Sequence, residues 1–261
     1  MCKPKHPKIT KGSSSHSLNK TLVSRKKCPP IEPTTNFILG YGSLINPDSK
    51  EVTHPGCGPS VPVLVKGFKR IFNCAGLLLG KKTTFLGVEE DNASYFTGVA
   101  FPVKSNATLM EFDQREAHYK RKLVAEENVK FLDDEDHISD GKNLLRFWIY
   151  VPQSKFVTKP SKPHPIYQSY FDIFVDGCVK IGKQFEIRNF AQECLQSTEG
   201  WLDPFFGGKN CWEFDRDEGI DKLKIVHDTK EIDEEIMFFV ETYMLFIGHR
   251  KEDEIEYILE K

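Results

Sequence analysis

The sequence lacks the features that would indicate a membrane or a nucleic acid as its main partner. It has no apolar run close to the roughly 20 residues that a helix needs to span a bilayer. It also has no large excess of one charge, because 36 basic and 38 acidic residues leave a formal net charge of −2. Such a balance gives no electrostatic reason to expect nucleic acid or an acidic surface. We therefore predict neither a membrane nor a nucleic-acid partner.

Cysteine is sparse and forms no recognisable pattern. The seven cysteines are an odd number, and no two of them form a CxxC pair. Neither a disulfide framework nor a zinc knuckle is predicted from such spacing. We expect reduced thiols in a cytoplasmic protein. The cysteines lie at positions 2, 28, 57, 74, 178, 194 and 211.

Signatures of nucleotide and metal binding are also missing. Residues 75–83 approach a phosphate-binding loop, but Ala75 and Lys82 stand where that loop needs Gly and Ser or Thr. The acidic run 133–136 lacks the glycine and the terminal glutamate of a calcium loop, so a solvated turn is the simpler interpretation. We predict no metal and no cofactor.

The chain divides by composition into three segments. Residues 1–33 carry eight Lys or Arg and a single acid, Glu32, with few apolar residues. This composition predicts a disordered basic tail, with an organelle transit peptide as the alternative. Residues 34–205 are predicted to form the main domain. Residues 206–261 are predicted to form a helical extension packed on or beside it, because apolar residues recur at helical spacing from about 230.

The main domain alternates short strand patterns with helical ones. A buried strand is predicted at 37–41, and a helix at about 106–118 that Ser105 or Asn106 can cap. Helices are also expected near 166–184 and 187–197. This spacing predicts an α+β fold built on a small barrel or a curled sheet. The further strands are expected at 61–66, 68–74, 84–90, 95–103, 121–131 and 144–151.

One carboxylate falls on the inward face of the predicted helix 106–118. Leu109 and Glu116 are seven residues apart and Phe112 is four before Glu116, so the three share one stripe. A buried carboxylate is costly unless it is paired or functional. Desolvation would raise its pKa towards neutrality, which suits a general acid or base. The alternative is a structural salt bridge to Lys120 or Arg121.

A short loop, Tyr41-Gly42-Ser43-Leu44, directly follows the first predicted strand. Gly42 lets the backbone turn and lets a ligand approach the main chain closely. Successive backbone N–H groups in such a turn can bind a carboxylate. An ordinary turn that ends a strand is the alternative interpretation.

Taken in order, these segments resemble the gamma-glutamylcyclotransferase-like family. Residues 41–44 resemble its N-terminal signature, and Asp113-Gln114-Arg115-Glu116 resembles its second, Asp-x-x-Glu followed by Tyr, Arg and Val. Residues 97–101 lie between them and are similar to a strand with a Gly-Val step. The likeness covers about 36–205. Segments 165–178 and 198–201 are similar to a longer branch of the family.

The resemblance implies a small mixed β-barrel with flanking helices and a metal-independent enzyme. Such a lyase or acyltransferase releases 5-oxoproline from gamma-glutamyl peptides or glutathione, with Glu116 as acid and base. Its partner is then a small gamma-glutamyl substrate. Some branches carry Asn directly after Gly-Ser, where this chain has Leu44, and this difference leaves the substrate open. The implied substrate-binding residues are Tyr41, Gly42, Ser43, Leu44 and Tyr119.

Three alternatives remain at this point. A cyclotransferase of the same family could act on gamma-glutamylamines. A binding protein could keep the barrel without catalysis. With seven cysteines and eight histidines, a cysteine hydrolase is a third alternative, although no local signature supports it. The sequence does not predict the oligomeric state.

Overall fold

The structure is a computed structural model that describes residues 36–133, 145–200 and 211–213. The predicted basic tail 1–33 lies outside the described residues. So does the predicted extension 206–261, apart from residues 211–213. The main domain predicted at 34–205 therefore contains almost everything described below.

A mixed sheet forms the centre of the domain. It has the strand order β4-β6-β1-β3-β2-β5, with β8 paired to β2, while β7 and β9 form a separate pair. The pairs β1–β6 and β2–β8 are parallel, and the other pairs in this sheet are antiparallel. The sheet is a strongly curled half-barrel, as the sequence predicted. The strands are β1 Asn36–Gly40, β2 Val61–Leu78, β3 Lys81–Val103, β4 Tyr119–Val124, β5 Val129–Phe131, β6 Arg146–Pro152, β7 Ile166–Tyr167, β8 Thr198–Glu199 and β9 Trp212–Glu213.

The hairpin of β2 and β3 is longer than predicted. The pairs of strands expected at 61–66 and 68–74, and at 84–90 and 95–103, each run together into one strand. The register shifts between Lys66 and Phe68 and again between Phe72 and Cys74. At the first shift residues 91–94 of β3 stand opposite Gly67, and at the second Asn73 is an extra residue on β2. Such insertions bend a strand, and this bending contributes to the curl of the sheet. The predicted strand 121–131 is wrong as a single element, because a 3-10 turn at Glu126–Asn128 separates β4 from β5.

Four α-helices of the described residues flank the sheet. They are α1 Pro47–Thr53, α2 Asn106–Arg115, α3 Gln168–Gln184 and α4 Phe190–Gln196. Ser105 caps α2 as predicted, since its hydroxyl accepts a hydrogen bond from the Thr108 N–H at 3.1 Å. This helix ends at Arg115, however, and not at residue 118. Helix α1 was not predicted; the Asn46 side chain caps its start, and Pro47 suits its first position.

A buried arginine fixes the end of β1 to the rest of the domain. Arg70 on β2 is fully buried, and its guanidinium stacks over the rings of Phe96 and Phe174. Its Nη1 donates to the Tyr41 carbonyl at 3.2 Å and to the Thr97 carbonyl at 2.7 Å. The strand end that carries the loop 41–44 is thereby held against β3. The other acceptors of Arg70 belong to Cys194, Ser197 and Thr198.

Two further facts concern the described part of the chain. None of its helices combines the length and the apolar content that crossing a membrane requires. Its five cysteines are free thiols, and four of them are buried. The buried thiols are Cys74, Cys178, Cys194 and Cys211.

Candidate functional site

The predicted loop forms the start of a short 3-10 helix. After β1, residues Ser43–Ile45 make one 3-10 turn, closed by a 2.9 Å bond from the Ile45 N–H to the Gly42 carbonyl. The first N–H groups of a helix have no partner within it. Among the hydrogen bonds of the described residues, none is donated by the N–H groups of Gly42, Ser43 or Leu44. The loop therefore offers three adjacent backbone donors.

Close packing surrounds the loop on its glycine side. A side chain at Gly42 would place its Cβ 3.0 Å from the Tyr170 hydroxyl and 3.5 Å from Leu86 Cβ. The side chain of Leu44 is buried in the core, so this residue can meet a ligand only through its backbone. Ser43 is half-buried, and its hydroxyl accepts a hydrogen bond from Arg115 at 3.1 Å.

Helix α3 supports the loop from behind. The Asn46 side chain donates to Asp176 Oδ2 at 2.7 Å and to the Ile173 carbonyl at 3.2 Å, while its own oxygen caps α1. Asp176 also pairs with Lys180 at 2.7 Å. Gly177 lies so close to the loop that a Cβ there would be 2.6 Å from the Asn46 backbone nitrogen. The loop is thus fastened to a long helix and has little freedom to move.

Glu116 is the first residue after α2 and caps its C-terminal end. Its N–H bonds the Phe112 carbonyl at 2.9 Å, and its side chain is only 15% exposed. Phe112 and Leu109 are buried, which places the predicted stripe against the core. Burial raises the pKa of Glu116 above its usual range, although the Arg115 guanidinium opposes that rise. The carboxylate is therefore able to hold a proton nearer to neutral pH than an exposed glutamate is.

The ion-pair partner of Glu116 differs from the partners that the sequence suggested. Arg115 Nε lies 3.1 Å from Glu116 Oε1. Arg121 pairs instead with Asp113, with 3.5 Å between Nη2 and Oδ2. The same Arg115 guanidinium reaches Ser43 in the loop. The Glu116 carboxylate and the Ser43 hydroxyl thus both accept hydrogen bonds from the Arg115 side chain.

Four tyrosines, three of them buried and Tyr119 partly buried, lie close enough to Glu116 to be affected by its charge. The Tyr119 hydroxyl donates to the Leu86 carbonyl at 2.8 Å, and the Tyr170 hydroxyl accepts from the Leu86 N–H at 3.3 Å. Burial is the main cause that raises the pKa of each tyrosine, and the charge of Glu116 raises it further. All four stay neutral near pH 7. They are Tyr41, Tyr119, Tyr150 and Tyr170.

A thiol lies in the same group. Cys74 is placed beside the second register shift of β2, in a position where Tyr119 and Glu116 affect its ionisation. Burial raises the pKa of the Cys74 thiol to about 11. At neutral pH the Cys74 thiol is therefore uncharged and only weakly polar.

The structure brings together the residues that the sequence singled out. Tyr41, Tyr119 and Glu116 share one electrostatic cluster, and Arg115 links Glu116 to Ser43. Arg115 stood within the second signature, but nothing in the sequence assigned it a role. The other members come from distant strands and helices, and no local pattern marks them. The members missed by sequence reasoning are Cys74, Arg115, Tyr150 and Tyr170.

Comparison with known proteins gives structural neighbours only. No protein-family model matches this sequence, and no curated protein sequence matches it. An uncharacterised protein from Homo sapiens is 15% identical over 63% of this chain and 88% of that chain, with a TM-score of 0.42. A gamma-glutamyl cyclotransferase is 13% identical over 61% and 85%, with a TM-score of 0.44. A yeast gamma-glutamyl cyclotransferase specific to glutathione is 13% identical over 63% and 95%, with a TM-score of 0.39. The structural neighbours are thus gamma-glutamyl cyclotransferase and proteins like it, all at low identity.

Proposed function

We propose that this chain is a gamma-glutamylcyclotransferase that releases 5-oxoproline from glutathione or a related gamma-glutamyl peptide. One observation carries the proposal: a buried carboxylate of raised pKa, Glu116, is joined through Arg115 to a loop with three unbonded backbone N–H groups. The order of the two sequence signatures supports it as well. A carboxylate and an anion-binding loop are the two parts that this reaction needs.

The reaction is an internal transfer of the gamma-glutamyl group. The substrate's alpha-amine attacks its own gamma-carbonyl, so that a new C–N bond closes a five-membered ring and the original amide C–N bond breaks. The amine starts mostly protonated at neutral pH, and its proton must be removed before it can attack. The leaving amine must gain a proton. One carboxylate of raised pKa can accept the first proton and return it to the leaving group.

The remaining parts position the substrate. The N–H groups of residues 42–44 would bind the alpha-carboxylate, which leaves the alpha-amine and the gamma-carbonyl near Glu116. Tyr41 and Tyr119 would line the pocket as neutral hydroxyls. Holding the chain in a shape close to attack contributes several kcal/mol in reactions of this kind. The nucleophile belongs to the substrate, and therefore the mechanism requires no serine or cysteine nucleophile from the protein.

The chemistry of the site disfavours two rivals. A cysteine hydrolase needs a thiolate, but the Cys74 thiol, with a pKa of about 11, is protonated at neutral pH. A binding protein without catalysis gains nothing from a carboxylate on a buried face, because such a group costs stability. The gamma-glutamylamine alternative shares the mechanism and differs only in the leaving amine.

The test is to incubate the full chain with glutathione, gamma-glutamyl dipeptides and gamma-glutamyl-lysine, and to measure 5-oxoproline. Glu116→Gln serves as the matched control. Release by the natural chain and its loss in the variant support the proposal, and the preferred substrate separates peptide from amine specificity. If no substrate yields 5-oxoproline, the proposal is wrong. Activity that survives in Glu116→Gln but disappears in Cys74→Ala would favour a thiol mechanism.

A further inference from the structure

Arg115 uses every hydrogen-bond donor that it has. Its Nε donates to Glu116 Oε1 at 3.1 Å. Its Nη1 donates to the Ser49 carbonyl and to the Thr53 hydroxyl, both at 2.6 Å. Its Nη2 donates to the Ser43 hydroxyl at 3.1 Å and to the Ser49 hydroxyl at 2.9 Å. A guanidinium has five N–H groups, and all five are accounted for.

These five hydrogen bonds limit what the Arg115 guanidinium can bind. A guanidinium with a free edge would be a natural ligand for a substrate carboxylate. Arg115 has no free edge, so binding an anion would require it to break bonds to α1 or to the loop. Its partners instead lie on both sides of the site: Ser43 belongs to the loop and Glu116 to the end of α2. Ser49 and Thr53 anchor the guanidinium to α1.

We propose that Arg115 is a positioning residue, which holds the Glu116 carboxylate at a set place relative to the loop 42–44. This inference rests on the proposed function, because it assumes that the loop and Glu116 act on one substrate. Arg115 itself touches no reacting atom. It acts through the carboxylate that exchanges the proton and through the loop hydroxyl that it bonds.

The electrostatic environment supports this role. The tyrosines and the thiol that the charge of Glu116 affects, from the loop, the strands and α3, are neutral near pH 7, and the Arg115 guanidinium is the cation that opposes desolvation. Without that charge, burial would act unopposed and the pKa of Glu116 would rise further. Glu116 must be deprotonated when the reaction begins, because it accepts the proton of the substrate amine. Activity would then appear only at higher pH. The neutral groups are Tyr41, Cys74, Tyr119, Tyr150 and Tyr170.

Three variants test the inference. Arg115→Gln removes the charge, while Arg115→Lys keeps a point charge but loses the planar fork. Thr53→Val is the matched control, because it deletes one acceptor of the same guanidinium and leaves the bond to Glu116 in place. The measurements are the pH profile of kcat and of kcat/KM, the pKa of Glu116 from an NMR titration of its carboxyl carbon, and the melting temperature.

We expect Arg115→Gln to move the acidic limb of the profile and the NMR pKa upward by roughly one unit or more. Arg115→Lys should move both by less. Thr53→Val should lower the melting temperature and leave the pH profile and the pKa of Glu116 unchanged. A structural role alone would move the melting temperature in all three variants and the pKa in none.

An unchanged profile and an unchanged Glu116 pKa in Arg115→Gln would overturn the inference. If Arg115→Gln does not fold, Arg115→Lys decides between the same two outcomes. The proposed function fails separately, when the natural chain releases no 5-oxoproline from any substrate. The NMR titration then still reports whether Arg115 controls the carboxylate.

Discussion

Glu116 occupies the first position after α2, and this place decides how its side chain is buried. Its backbone has left the helix, with φ −90° and ψ 38°, yet its N–H still completes the last helical bond to Phe112. The carboxylate consequently stays on the stripe that Leu109 and Phe112 define. The chain can then turn directly into β4 at Tyr119, which contributes its hydroxyl to the same cluster.

Replacing Glu116 with Gln tests the chemistry at this position. The amide keeps the size and the hydrogen-bonding capacity of the side chain but cannot exchange a proton. Turnover should fall by roughly two orders of magnitude or more, as is usual for general acid–base catalysis. Substrate binding should change little, because in the proposed mechanism the loop 42–44 binds the alpha-carboxylate. Steady-state kinetics and isothermal titration measure the two effects, and a variant that is fully active when folded would contradict the assignment.

Gly42 is the second residue whose replacement tests the site, because a substitution there adds a Cβ atom next to the loop. In Gly42→Val the Cβ would lie about 3.0 Å from the Tyr170 hydroxyl, and the branched side chain would cover the N–H groups of the loop. We expect a large rise in KM with the fold retained. Ser43→Ala is the comparison, since it loses only the hydroxyl that Arg115 bonds and keeps the backbone donors. Equal tolerance of both changes, measured as KM and melting temperature, would place the substrate elsewhere.

At the scale of the elements, α3 holds the loop in place. Asn46 is shared between two helices: its side-chain oxygen caps α1, and its amide donates to Asp176 and to the Ile173 carbonyl on α3. Lys180 adds ion pairs to Asp176 and to Asp48. These contacts explain why a helix far along the chain belongs to the site, although none of its carboxylates takes part in the proposed reaction.

Two glycines on α3 form a matched pair for testing this support. In Gly177→Ala the new Cβ would come within 2.6 Å of the Asn46 backbone nitrogen, so the loop would have to shift. In Gly182→Ala the nearest atom is Phe190 Cβ at 3.3 Å, a contact that a small adjustment relieves. Alanine gains about 0.5–1 kcal/mol over glycine in a helix, whereas overpacking costs about 1–3 kcal/mol.

Gly177→Ala should therefore lower both the stability and kcat/KM, and Gly182→Ala should leave both nearly unchanged. Urea unfolding and steady-state kinetics check this expectation. A Gly177→Ala variant as stable and as active as the natural chain would show that α3 does not constrain the loop.

At the scale of the whole molecule, the raised pKa of Glu116 links the site to stability. A carboxyl group whose pKa is higher in the folded than in the unfolded chain stabilises the fold when it is protonated. That contribution is complete below the unfolded pKa, about 4.3, and is lost as the pH rises through the folded pKa. At pH 8 the folded natural chain must bury the negative charge of Glu116, which costs stability. At pH 4 the side chain is neutral and this cost is absent.

The difference in melting temperature between Glu116→Gln and the natural chain should follow this titration. At pH 8 the variant should be equally or more stable, because an amide is easier to bury than a carboxylate. As the pH falls from the folded pKa towards about 4.3 the difference should shrink, and below about 4.3 it should stay constant, since Glu116 is then neutral in both states. Thermal unfolding of the two proteins across this range measures it. A variant that is less stable at pH 8 would mean that the ion pair with Arg115 outweighs the cost of burial.

Much of the site could be expected from local patterns. The stripe of Leu109, Phe112 and Glu116 follows from helical periodicity, and Ser105 marks the start of α2 by its capping chemistry. Both are properties of neighbours in the chain. The helix ends three residues before the predicted residue 118, because residues 116–118 form a turn, closed by a 2.8 Å bond from the Tyr119 N–H to the Glu116 carbonyl, and β4 begins directly after it.

The sequence by itself determined which residues we propose for the chemistry: a carboxylate on an inward stripe and a glycine loop at the end of a strand. Only the tertiary structure decided their environment. Tyr150, Tyr170 and Cys74 come from β6, α3 and β2 to positions where the charge of Glu116 raises the pKa of each, and Arg115 hydrogen-bonds Ser43 in the loop, 72 residues earlier in the sequence. The physical reason is that burial and charge depend on which segments the curled sheet brings into contact, and periodicity describes only neighbours along the chain.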